Sequence, residues 1–282
     1  MHGAEGAPRG AHRVQERGFG GSKPRKSEGC SVRMLVMRKA SILFLRACLS
    51  LLVLPIHILA LVGLWQPFCR GVFFPFFFTR FSATYERKAK GQKQELFRSL
   101  PDFRSPSGDL RLLELGTGPG VNFQFYPPGC KVTCSDASPS FQQSLRRSMG
   151  RNQHVCFERF LVAAGEDLRQ VPSGSLDAVV CTLVLCSVRD ESRILKEALR
   201  VLRPGGAFYF LEHVAADPSS WKHFWQQVWY PTWKLLFDGC CLTKETWKAL
   251  EEANFSELHL QHTTIALPWT PTQPHIIGYA VK

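Results

Sequence analysis

The residues best suited to chemistry fall in a few short stretches. Residues 112–120 read LLELGTGPG, where Gly116, Gly118 and Gly120 alternate after the acid Glu114. Alternate glycines let a backbone turn sharply and let a ligand approach it closely. The spacing differs from Gly-x-Gly-x-x-Gly, which opens onto a helix N-terminus that cradles a pyrophosphate. It therefore suits a cofactor without phosphates, or simply a tight turn. Asp136 lies 16 residues past Gly120; it can accept both hydroxyls of a ribose, or merely open a helix. Gly165, Glu166 and Asp167 suit either an adenine edge or a solvated turn. Glu212-His213 makes His213 the candidate catalytic group, as proton acceptor or acceptor-orienting residue, against the alternative of a structural histidine.

These residues need strands to position them. Apolar runs predict strands over 112–115, 131–136, 157–163, 176–185 and 207–211, with helices between them. That alternation argues for a parallel sheet covered on both faces. Ser138 and Pro139 start one helix, through 141–149, and Asp190 caps another whose apolar positions run from Ile194 to Leu202 until Gly205-Gly206. All the candidates then fall at C-terminal strand ends, where open α/β sheets bind ligands. Closing strands near 257–264 and 275–281 bring the sheet to seven. Trp221, Trp225, Trp229 and Trp233 recur every four residues, a helical face that Pro231 should break in its last turn. The stripe reads as core packing or as the wall or lid of an acceptor pocket, with Trp225, Trp229, Asp238 and Cys240 as its candidate residues.

The net charge of +12 is uneven: residues 1–110 hold 18 Lys+Arg against 7 Asp+Glu, and residues 111–282 hold 17 against 16. The domain with the glycine loop lacks the basic face expected of a nucleic-acid enzyme. Ten cysteines include no Cys-x-x-Cys, so neither a structural zinc site nor any other metal is expected, and reduced thiols fit a cytosol-facing domain.

Residues 1–39 form a basic leader expected to be disordered. Residues 40–82 follow as a hydrophobic anchor and aromatic segment. Within it, residues 47–65 carry no formal charge, a length suited to a hydrocarbon core of roughly 30 Å. Basic residues flank both sides, so a hairpin kinked at Pro55 is expected rather than a single span. Seven phenylalanines between Phe68 and Phe81, with Arg70 and Arg80, suit a headgroup layer. Residues 83–109 read as a linker helix and 110–282 as the catalytic domain.

The set LELGTGPG, CSDASP, AAGEDL, SLDAVVCTLVLCSV and LRPGG resembles the class I S-adenosylmethionine-dependent methyltransferases, whose Rossmann-like, doubly wound, mostly parallel seven-stranded sheet is thereby expected. The resemblance implies S-adenosylmethionine as cofactor. Gly116, Thr117, Gly118 and Gly120 would surround its methionine end with Glu114 nearby, Asp136 would take the ribose, Glu166 or Asp167 the adenine, Cys181 would line the floor, and Ala137 would be a further cofactor contact. From about Ile42 onward, NFQFYPPGCKVTC, RVLRPGGAFYFLEHVA, FDGCCLT and PHIIGYAVK resemble the methyltransferase-like 7 family of membrane-anchored alkyl-thiol S-methyltransferases. This implies a lipophilic small-molecule thiol as acceptor, a membrane or lipid-droplet surface as partner, and the endoplasmic reticulum membrane and lipid droplets as location, with the catalytic domain facing the cytosol. No obligate protein partner is expected. Methylation of a lipidic quinone or another oxygen or carbon acceptor, and a non-catalytic scaffold, are the competing readings. The family loop usually reads Gly-Cys-Gly-Thr-Gly; here Pro119 removes one donor, which predicts weaker cofactor binding.

Overall fold

The computed structural model describes residues 26–267 and 270–282. The chain divides into two compact units, Met1–Ser41 and Ile42–Lys282. Helix α1 runs Lys26–Leu52. Residues 26–39 are therefore helical where disorder is expected, because no proline interrupts the run into the apolar stretch; the rest of the expected leader lies outside the described residues. Helix α2 (Leu54–Leu61) follows Val53 and carries Pro55 in its first turn, where a missing N–H costs no hydrogen bond. Among the described residues no single helix is long and apolar enough to cross a membrane, but 33–52 and 54–61 together have the composition, bent by 74°.

Helix α3 (Trp65–Phe68), a π turn (Cys69–Phe73) and α4 (Phe74–Phe97) follow in near continuity. The expected linker helix is thus the second half of a longer one, followed by a 3-10 turn at Leu100–Phe103. The aromatic segment packs on protein as well. Trp65 is buried, and its Nε1 donates to the Leu235 carbonyl at 2.7 Å; Phe73 and Phe77 both meet Phe237.

The sheet consists of β1 (Arg111–Leu115), β2 (Lys131–Asp136), β3 (Cys156–Val162), β4 (Leu176–Thr182), β5 (Leu202–His213), β6 (Glu257–Thr264) and β7 (Pro274–Val281). Its order is β3-β2-β1-β4-β5-β7-β6, with only β7 antiparallel to its neighbours β5 and β6. Helices α5 (Gln142–Arg151), α6 (Glu191–Val201), α7 (Trp221–Leu236) and α8 (Thr246–Glu251) complete the chain. Alternation along the strands sorts the core: Leu112, Val132, Ala178, Val180 and Tyr209 face α4, whereas Leu113, Val179, Cys181, Phe208 and Phe210 face α6 and α8.

Three boundaries differ from expectation. Strand β4 stops at Thr182 because Leu183 takes a left-handed φ of 58°. Helix α6 ends at Val201, before the glycine pair, and β5 begins at once. Helix α7 runs through Pro231 to Leu236. Its buried face is Phe224, Val228 and Thr232, so the tryptophan stripe splits: Trp221 and Trp225 are exposed, whereas Trp229 and Trp233 are half-buried.

Candidate active site

Sheet order reverses between β1 and β4, and the loops after these strands meet at that switch point. Gly116, Gly118 and Gly120 have φ of 57°, 52° and 73°, which glycine alone adopts freely. A Cβ on Gly116 would collide with Val184 of the facing loop. Three of the loop's N–H donors are engaged within the protein. Thr117 N–H donates to the Ser135 carbonyl (3.1 Å), Gly118 N–H to Asp136 Oδ2 (2.9 Å) and Gly120 N–H to the Thr117 carbonyl (3.0 Å). Residue 119 is proline, so this turn presents no nest of N–H groups for a phosphate. The Thr117 hydroxyl also turns inward, donating to the Glu114 carbonyl at 3.0 Å.

Two acids border the loop. Glu114 is buried, and its Oε1 accepts from Asn122 Nδ2 at 2.8 Å; Oε2 has no hydrogen-bond partner among the described residues. Burial lifts its pKa to about 7, against the opposing pull of Tyr126, Asn122 and Lys93. The Tyr126 hydroxyl bears on this carboxyl without meeting hydrogen-bond geometry. Asp136 accepts Gly118 N–H on Oδ2 and Ser138 N–H on Oδ1 (2.8 Å), which leaves each oxygen a lone pair. Burial raises its pKa and the two N–H groups oppose that. Ala137 lies exposed beside it.

The remaining cofactor candidates separate. Asp167 is drawn into an ion pair with Arg169 (2.6 Å), which holds its pKa down, so of the two acids expected near the adenine it is the one already paired. Cys181 does not reach a ligand surface: it is fully buried on the α6 face, 3.7 Å from Glu212 Oε1. Lys93 is the residue that sequence reasoning missed. It is 1% exposed, and its Nζ donates to Glu86 Oε1 (2.5 Å) and to Asn122 Oδ1 (2.8 Å), so α4 reaches Glu114 through Asn122. The signal was present: Tyr85, Ala89, Lys93, Leu96 and Leu100 share one helical face, and all but Lys93 are apolar.

A second hollow, a half-open cavity of about 70 Å³, lies beyond the β4 loop. Phe77, Phe81 and Tyr85 of α4 wall it on one side, and Trp233 and Phe237 on another. Leu183, Cys186, His213, Cys240 and His275 also line it. His213 Nε2 lies 2.9 Å from Cys240 Sγ, while Nδ1 is buried with no partner among the described residues. Burial pulls the His213 pKa down, but Cys186 and Glu212 more than offset it, and the net shift is upward. His275 is kept neutral: burial takes its pKa to about 3, and its nitrogens meet the Gln273 carbonyl (2.9 Å) and the Tyr85 hydroxyl (3.2 Å). Glu212 holds the loop in place, accepting N–H groups from Val184 (2.8 Å), Leu185 (3.1 Å) and Cys186 (3.3 Å).

Of the expected acceptor residues, Cys240 lines this cavity and Trp225, Trp229 and Asp238 do not. Trp225 faces outward because Phe224 and Val228 take the buried side, and Asp238 is held by Arg70 at 2.9 Å.

Residues 113–210 match the Methyltransferase domain family. The human thiol S-methyltransferase TMT1A is 58% identical over 221 residues, covering 78% of this chain and 90% of that protein. The chain belongs to the thiol S-methyltransferase family. Human thiol S-methyltransferase TMT1B is 52% identical over 238 residues, covering 84% of this chain and 97% of the relative. Among solved structures, the CurJ carbon methyltransferase superposes with a TM-score of 0.55 at 17% identity, over 90% of this chain and 70% of that one; that likeness speaks for the fold.

As a member of the thiol S-methyltransferase family, the chain is an S-adenosylmethionine-dependent enzyme, and its crevice fits that cofactor. The half-satisfied Glu114 carboxyl suits the ammonium of the methionine end, Asp136 keeps lone pairs for the ribose hydroxyls, and the closed glycine turn suits a nucleoside that brings no phosphate. The sheet and the enzymatic assignment agree with the sequence expectation, and the non-catalytic scaffold reading is set aside.

Proposed function

We propose that the enzyme methylates the sulfur of small lipophilic thiols at a membrane surface. The observation that carries this reading is the cavity itself: aromatic walls, a buried histidine without a partner on Nδ1, and an opening beside the β4 loop. The curated relatives named as thiol S-methyltransferases support it. S-adenosylmethionine supplies an electrophilic methyl on its sulfonium. The protein must then present the acceptor sulfur, remove its proton and exclude water. Phe77, Phe81 and Phe237 exclude water and select an alkyl or aryl group. His213 acts on the acceptor S–H, by taking its proton or orienting the sulfur, since the thiolate is the nucleophile. Glu212 positions both, through the loop it holds and as the neighbour of His213.

The membrane part rests on exposed apolar side chains. Leu43, Phe44, Leu51, Leu52, Leu54, Ile58, Leu61, Leu64 and Phe76 all lie exposed, more than a water-facing surface ordinarily carries in one stretch. Together with the bent pair of helices they support insertion as a broken or re-entrant segment, and the endoplasmic reticulum membrane and lipid droplets are the proposed location.

The test is transfer of a radiolabelled methyl group, in membranes containing the full chain, to a panel of alkyl thiols, phenols and quinols. Methyl thioether as the main product supports the reading; labelled quinol or phenol ethers with inert thiols would replace it with an oxygen-acceptor function. Flotation with liposomes tests the membrane part, which fails if the chain stays at the bottom of the gradient.

A further inference from the structure

We propose that Cys186, His213 and Cys240 bind a thiophilic d10 cation, Zn2+, whose fourth coordination position opens on the acceptor cavity. The ligand atoms come from the loop after β4, the end of β5 and the segment after α7. Cys186 Sγ and Cys240 Sγ are 4.0 Å apart, His213 Nε2 is 2.9 Å from Cys240 Sγ, and all three atoms lie within 4.8 Å of one another. Tetrahedral zinc with Zn–S near 2.3 Å and Zn–N near 2.0 Å places its sulfurs roughly 3.7 Å apart and sulfur and nitrogen roughly 3.5 Å apart. The sulfur pair is about 0.3 Å wider than that and His213 Nε2 about 0.6 Å closer to Cys240 Sγ, so side-chain adjustment must close the set around an ion.

Three further features fit a cation there. All three side chains are buried, and two thiolates neutralise a divalent ion, so the loaded site carries no net charge into an apolar cavity. Trp233 Nε1 donates to Cys240 Sγ at 3.2 Å, and Ser187 Oγ stands 3.6 Å from Cys186 Sγ, the outer contacts that orient thiolate ligands. The frame is also tied together before any ion arrives: Glu212 accepts the Cys186 N–H, and Cys241 N–H donates to the Cys186 carbonyl at 2.9 Å.

The protein supplies three ligands, because both nitrogens of His275, the next imidazole in the cavity, are engaged. Three protein ligands and an open position are the pattern of catalytic rather than structural zinc. A thiol entering the cavity would fill that position and lose its proton to solvent or buffer, since a coordinated thiol is deprotonated. His213 would then orient the acceptor sulfur through the ion. This last step rests on the thiol-acceptor reading; cation binding does not.

The experiment titrates Co2+, as a coloured stand-in, into the full chain in detergent, reduced with a phosphine and stripped with a chelator. The expected result is one equivalent bound, with sulfur-to-cobalt charge transfer and tetrahedral d–d bands. Zn2+ should bleach these bands, hexanethiol should shift them, and Cys186→Ser and Cys240→Ser should each weaken binding at least about tenfold. S-adenosylmethionine titration on the same variants checks that they remain folded. No bands in cofactor-competent protein, or bands that survive in the Cys186→Ser/Cys240→Ser double variant, would overturn the site. Bands indifferent to hexanethiol would overturn the open acceptor position. Failure of the thiol reading shows elsewhere, as absent methyl thioether in the transfer assay while the cobalt bands persist.

Discussion

At the scale of single residues, Glu114 couples the cofactor to pH. Its carboxyl, near 7 when buried against an ordinary 4.5, is half protonated at neutral pH in the free enzyme, while an ammonium ligand needs it ionised. Cofactor affinity should therefore rise about tenfold between pH 6 and pH 8, and Glu114→Gln should weaken binding and flatten that slope; calorimetry across this range checks both. The linked stability runs the other way. A folded pKa above the unfolded one contributes stability that is complete below about 4.5 and lost as pH rises through about 7, so cofactor-free protein should melt lower at pH 8 than at pH 6, less so in Glu114→Gln. Lys93 gives a second prediction. Lys93→Met leaves Glu86 buried without its cation and should cost roughly 3 kcal/mol of stability, whereas adding Glu86→Gln should recover much of it. Thermal melts of the two variants decide this; equal losses would show that the pair is not coupled.

At the scale of elements, the central strands were readable because β1, β2, β4 and β5 carry apolar runs flanked by a glycine, acid or proline. Glu114 and Asp136 were legible for the same reason: they stand where such runs stop. Elements whose two faces are both apolar were not. Helix α7 shows tryptophans every fourth residue, yet Phe224, Val228 and Thr232 repeat at the same interval on another face, and periodicity alone does not rank two such stripes. The Cys186–His213–Cys240 cluster was invisible because its members come from three segments that only the sheet brings together. The sheet edge supplies a prediction of its own. Gly278 of β7 lies so close to the His259 carbonyl of β6 that a Cβ would overlap it. Gly278→Ala should destabilise the protein by roughly 1–3 kcal/mol and loosen the β6–β7 pair, measured as faster amide exchange in β6 than in β3.

At the scale of the whole molecule, the second unit begins at Ile42 and contains every residue assigned to the cofactor crevice and the cavity. A chain shortened to Ile42–Lys282 should bind S-adenosylmethionine with an unchanged dissociation constant; a weakening beyond about threefold, or about 0.65 kcal/mol, would show that the first 41 residues contribute to the site. The same chain should still float with liposomes if α2 and the exposed side chains around it carry the attachment.

Helix α4 reaches both halves of the reaction. Phe77, Phe81 and Tyr85 wall the acceptor cavity, and Lys93, two turns beyond Tyr85, closes the hydrogen-bonded chain to Glu114. From Phe81 to Lys93 the rod is roughly 18 Å long, stiff enough to act as a spacer between what is bound at either end. An engineer can therefore treat its N-terminal turns as an interchangeable cartridge. Resizing Phe77 and Phe81 should retune which molecules the enzyme accepts while the far end of the same helix keeps the methyl donor in register.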